Sequence, residues 1–154
     1  MKLVLLVLVW GFVIPAMRGA RWAYAAFSVL GLLYIPASNG FSIDPQHCDL
    51  KLNVELAVLS LSNYPHIVIF AFFFLLTTRQ LHGSDWRRFG WATAATMMMG
   101  ALLELAQALS GNGHCRTRDL IPDAVGALLG LIMVFVGELL ARQLFRGGHE
   151  IEVN

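Results

Sequence analysis

The sequence predicts an all-α integral membrane protein, a compact bundle of about five transmembrane helices with its N-terminus outside and its C-terminus in the cytoplasm. Three observations predict it. Of 154 residues, 57% are hydrophobic and only 14% charged, against roughly 45–50% and about 25% in soluble domains. The apolar residues gather into five runs, and the arginines between those runs fall on alternate connections. The same composition excludes disulfide-rich, coiled-coil and disordered classes, and no basic patch suited to nucleic acid is present. A single domain over residues 1–154 is expected.

The first apolar run is Leu3–Met17. Its Met1-Lys2 start followed by Leu and Val also resembles a secretory signal. Ile14-Pro15-Ala16 is a poor cleavage site and Arg18 and Arg21 follow at once, so the run is expected to be retained as a span. The second run is Trp22–Ala37, followed by a long loop, Ser38–Tyr64, with early turn signals at Asn39-Gly40 and Asp44-Pro45. Within that loop Val54–Leu61 is apolar but for one acid, as in a short interfacial helix or a re-entrant piece. The third run, Pro65–Thr78, opens with a proline suited to a first helical turn, which places His66 at the mouth of that span. The fourth, Phe89–Leu109, and the fifth, Leu120–Leu144, reach the roughly 20 residues a span needs. The first three are shorter and rely on interfacial flanks or a locally thinned bilayer.

Five spans place seven of the eleven basic residues on one side: Arg18, Arg21, Arg79, Arg87, Arg88, Arg142 and Arg146. The positive-inside rule makes that side cytoplasmic. Trp10, Trp22, Tyr64, Trp86 and Trp91 stand near span ends, as interfacial aromatics do. Met97-Met98-Met99 occupy consecutive positions and so share no single face; helix packing is their expected role. Glu138 is expected to form a surface pair with Arg142, four residues on.

Ionisable groups at membrane depth are costly unless paired, and they mark candidate sites. Span four carries Gly100, Glu104, Gln107 and Ala108 on one face, and span five carries Asp119, Asp123, Gly126 and Gly130. The short Ser110–Arg118 connection makes the two spans an antiparallel hairpin. At roughly 1.5 Å per residue, Glu104 lies about 9 Å below the top of its span and Asp123 about 6–8 Å below the top of the next. Both carboxylates can therefore face one outward pocket, with His66 nearby and Arg116 and Arg118 at its rim.

Three carboxylates in a low dielectric do not all remain ionised without compensation by a proton, an arginine or a cation. A protonated glutamate beside an ionised aspartate serves general acid and base chemistry. Rim arginines suit a phosphate or pyrophosphate head group, which the guanidinium fork matches bidentately. The plainer readings are a Glu104 paired with Arg116 or Arg118 to lock the hairpin, and an Asp119 capping the fifth helix. Gly126-x-x-x-Gly130 is either a close-packing motif or a chance pair of small residues. Neither His-Glu-x-x-His nor Gly-x-Ser-x-Gly occurs, and no cofactor is expected.

His47-Cys48 and His114-Cys115 hold the two cysteines, each after a histidine in an outward loop. A Cys48–Cys115 disulfide suits an oxidising side. A Cys2His2 zinc site built from the four residues and a pair of free thiols are the alternatives.

These residues resemble the VanZ-like family of small bacterial membrane proteins. The resemblance lies in Glu104-Leu-Ala-Gln107, then Arg116 or Arg118, Asp119 and Gly126-Ala-Leu-Leu-Gly130, with His66-Ile67 opening an earlier span. It covers about residues 63–131. Ser62-Asn63 stand where the family often has Asp-Lys, and Asp123 where Asn is common. The resemblance implies a multi-pass protein of the bacterial cytoplasmic membrane and a link to low-level teicoplanin resistance. The pocket residues, rather than the resemblance, support three functional expectations. The outward pocket binds a lipid or lipid-linked head group, with His66, Gln107, Arg116 and Arg118 as ligands. Alternatively, Glu104 with Asp119 or Asp123 acts as acid and base in a membrane enzyme. In the third, the polar residues only fix the hairpin.

Overall fold

The computed structural model describes residues 2–38, 43, 45, 47–111 and 115–149. They form seven α-helices and one 3₁₀ turn. Among the described residues the sole β-type pairing is an isolated bridge between Asp49 and Arg116. The turn signals at Asn39-Gly40 and Asp44 lie outside the described residues.

The first apolar run is two helices, α1 (Lys2–Gly11) and α2 (Val13–Met17), rather than one. Pro15 supplies the reason. It has no N–H to donate, and its ring collides with the carbonyl four residues back, which is Gly11, where α1 ends. Gly19, at φ +85°, then turns the chain beneath the carbonyl of Arg79 into α3 (Arg21–Ser38). α4 (Val54–Ser60) is capped by Asn53 Oδ1, which accepts from the Leu56 N–H at 2.7 Å. It meets α5 (Tyr64–Gln80) at a bend of 72°.

α5 is the central helix. Phe70, Ala71, Phe73, Phe74, Leu76 and Thr77 bury most of its circumference, as expected of a helix apolar all round. Phe73 packs against Tyr24 and Phe27 of α3, and the Tyr24 hydroxyl and Thr77 Oγ1 share a hydrogen bond of 2.9 Å. α6 (Asp85–Ser110) buries Ala92, Thr96, Gly100, Glu104 and Ala108, a stripe repeating every four residues. It ends at Gly111, whose φ of +61° is the left-handed conformation that glycine adopts most easily. A 3₁₀ turn (Thr117–Asp119) leads into α7 (Leu120–His149).

α7 lies directly against α5. A Cβ on Gly126 would stand 2.5 Å from the Ile67 carbonyl oxygen, and one on Gly130 would stand 2.8 Å from that of Ala71. Gly126-x-x-x-Gly130 is thus a packing motif in which two helix backbones touch. Met99 is buried and Met98 exposed, so the methionine run divides between core and periphery.

Two helical stretches, α6 and Thr117–Gln143, are long and apolar enough to cross a membrane, and α4 with α5 are so only as a bent pair. Taken individually, α1, α2 and α3 are not, so five independent spans go beyond what the helices show by length and composition. At one end of the bundle Gln80 Nε2 donates to the Ala16 carbonyl at 2.7 Å. There Arg88 pairs with Glu138 at 2.8 Å and Arg142 with Asp85 at 3.4 Å. The expected Glu138–Arg142 pair is replaced, because α6 brings Arg88 against α7 and leaves Arg142 to reach Asp85.

Candidate functional site

The opposite end is organised by a covalent link. Cys48 and Cys115 form a disulfide across 67 positions of sequence. Beside it the Asp49 N–H donates to the Cys115 carbonyl at 2.9 Å, and the Thr117 N–H donates to the Asp49 carbonyl at 3.1 Å. The long loop is thereby tied to the connection between α6 and α7. With both sulfurs joined, the zinc alternative lacks its thiolates; His114 lies outside the described residues and His47 is exposed.

This clamp presents the Arg116 N–H to Glu104 Oε2, at 2.7 Å. Glu104 therefore does lock the hairpin, but through backbone. Among the described residues it makes no ion pair with either arginine. Asp123, wholly buried in the first turn of α7, lies 2.8 Å from His66 Nδ1 through its Oδ1. His66 is placed there by the proline-started first turn of α5, and its ring lies over Phe70, one turn on. Glu104, Asp119, Asp123 and His66 lie near enough to feel one another's charge.

One oxygen of each inner carboxylate, Glu104 Oε1 and Asp123 Oδ2, is buried with no hydrogen-bond partner among the described residues. An ionised oxygen in that setting is costly unless a donor reaches it. Gly100 makes room for the second of these oxygens. A Cβ there would stand 2.5 Å from Asp123 Oδ2. The clash is with the end of a side chain, so Gly100→Ala is expected to turn the Asp123 carboxyl rather than part the helices. The expected stability loss is about 1–3 kcal/mol, with the His66 ring ¹⁵N shift moving toward that of a free imidazole. An unchanged His66 signal would show that Gly100 does not seat the pair.

Arg116, Arg118 and Asp119 line a cleft of about 230 Å³ with Ser60, Ser62 and Asn63. Neither guanidinium is paired with a carboxylate among the described residues. Asp119 belongs to the 3₁₀ turn, and its side chain makes no hydrogen bond to a described residue. Gln107 is half-buried on the Glu104 face, and its side chain likewise makes no hydrogen bond to a described residue.

The sequence-derived set is thus divided between two layers. Buried Asp123 and Glu104 with half-buried His66 form an inner layer, and Arg116, Arg118 and Asp119 an open one, joined at the Arg116 backbone, with Gln107 in neither. The roles of Asp49, Ser60 and Gly100 were not read from sequence. Only Gly100 carried a signal, its position one turn before Glu104 on the same face. No family model, curated protein or solved structure matches the chain.

Proposed function

We propose that the chain is a VanZ-like membrane protein of the bacterial cell envelope whose outward cleft binds the phosphate-bearing head group of a lipid or lipid-linked precursor. The observation that carries this reading is the pair of guanidinium groups, Arg116 and Arg118, beside Ser62 and Asn63 in a cleft where neither has a carboxylate partner among the described residues. Guanidinium forks match phosphate oxygens bidentately. The volume of about 230 Å³ lies below the roughly 300–1,000 Å³ of sites that enclose whole small molecules, and it suits a head group whose chains remain in the bilayer. Five spans with the N-terminus outside accompany this reading. They put the disulfide on an oxidising side and the arginine-rich end in the cytoplasm. A link to teicoplanin resistance rests on the family resemblance alone.

The test is titration of the detergent-solubilised protein with polyprenyl phosphate, followed by native mass spectrometry. Arg116→Gln/Arg118→Gln is expected to weaken binding at least about tenfold. Undiminished binding by that variant would refute the reading.

A second reading, a membrane enzyme, is favoured by the His66–Asp123 contact. A buried aspartate on Nδ1 fixes an imidazole so that Nε2 is left for acid–base work. In this reading His66 exchanges the proton, Asp123 positions it, and Glu104 is a second proton holder. Glu104→Gln keeps an oxygen for the Arg116 N–H, so it is expected to preserve head-group binding in either case. Only the enzyme predicts a product mass that His66→Gln abolishes.

A further inference from the structure

At the arginine-rich end, α2, α5, α6 and α7 enclose a second cleft, of about 340 Å³. Leu75, Met133 and Val134 supply apolar wall, and Arg79 lines the cleft with them, as does the ion-paired couple Arg88 and Glu138. Gly137 opens the wall further, since a Cβ at that position would meet nothing within 4 Å.

Among the described residues the charges at this end are not balanced. Arg88 is held by Glu138 at 2.8 Å and Asp85 at 3.1 Å, and Arg142 also reaches Asp85. Two arginines therefore answer the two acids. Arg79 lines the cleft and makes no ion pair with a described residue. An amphiphile with an anionic head and an apolar tail matches that order of surfaces. Anionic lipids are attracted to such basic ends.

We propose that this cleft holds an anionic phospholipid of the adjoining leaflet, its phosphate on Arg79 and one acyl chain along Met133, Val134 and Gly137. The site is separate from the outward cleft, and its test touches none of the residues there. The occupant is a lipid rather than a soluble phosphate because Leu75, Met133 and Val134 line the cleft beside Arg79, while the other two charges lining it, Arg88 and Glu138, answer each other.

The experiment is native mass spectrometry of the full chain titrated with phosphatidylglycerol, with phosphatidylcholine and glycerol phosphate as comparison probes. Three variants separate the contributions. Arg79→Gln removes the cation, Gly137→Leu fills the open wall, and Arg87→Gln removes an exposed arginine that does not line the cleft. Arg79→Gln, by losing one charge-assisted contact, and Gly137→Leu, by occupying the space of the acyl chain, are each expected to weaken phosphatidylglycerol binding five- to tenfold. Arg87→Gln is expected to change it less than twofold, on the order of an exposed charge. Melting temperatures in detergent confirm that each variant is folded. Equal losses from Arg87→Gln would mean a diffuse basic surface and overturn the proposal. Unchanged binding by Gly137→Leu, or binding of glycerol phosphate as tight as that of the lipid, would overturn it as well.

Discussion

Gly126→Leu is expected to cost more than about 3 kcal/mol, above the usual range for overpacked cores, and to leave little folded protein in detergent. The reason is what the new side chain would meet. The Ile67 carbonyl oxygen, the Phe70 Cβ and the Ala71 nitrogen lie 2.5, 2.8 and 3.1 Å from a Cβ at that position. None is the far end of a flexible side chain, so relief requires α5 and α7 to separate as whole helices. Gly130→Leu meets the Ala71 oxygen and Phe74 Cβ in the same way, both at 2.8 Å. Gly90→Ala is the counter-case. Its Cβ enters open space, and alanine is preferred over glycine in a helix by about 0.8–1 kcal/mol. Unfolding in mixed detergent–SDS micelles should therefore rank Gly126→Leu far below, and Gly90→Ala at or above, the parent. Equal stabilities would contradict backbone contact between α5 and α7.

The second large effect is expected from Cys48→Ser/Cys115→Ser. Closing a loop of 67 positions restricts an unfolded chain by about 4 kcal/mol in the entropic account. Helices that persist in the unfolded membrane state reduce that, so a loss of about 2–4 kcal/mol is expected. The loss should not be confined to stability. The disulfide and the Asp49–Thr117 hydrogen bond hold the segment whose Arg116 N–H reaches Glu104. Head-group binding should therefore weaken in the serine variant and in reduced parent protein alike. If reduction leaves both melting temperature and binding unchanged, the clamp does not organise the site.

How much of this was legible in the sequence differs from element to element. The α6–α7 hairpin was, because its apolar runs are long and its carboxylates recur at helical spacing; Glu104 and Gly100 share the face that spacing assigns them. The division at Phe12 was not read, since a hydropathy pattern runs smoothly over Pro15 whereas the hydrogen-bond ladder does not. His66 was placed at a span mouth by the proline beside it, but its partner required knowing that α7 lies on α5. The backbone route from Arg116 to Glu104 had no signature in side-chain types at all. Arginine near a glutamate suggests a charge pair, and the N–H that forms the bond is common to nearly every residue.

The disulfide also constrains parity. Two sulfurs can bond only if Cys48 and Cys115 emerge on the same face of the bilayer, so the chain between them must cross it an even number of times. That interval holds α4, α5 and α6. If α6 crosses, as its 26 residues permit, one further crossing is required, and α5 with its bent companion α4 is the segment able to make it. The sulfur bond thus ties the topology of the 17-residue α5, short by hydropathy alone, to that of its longer neighbour.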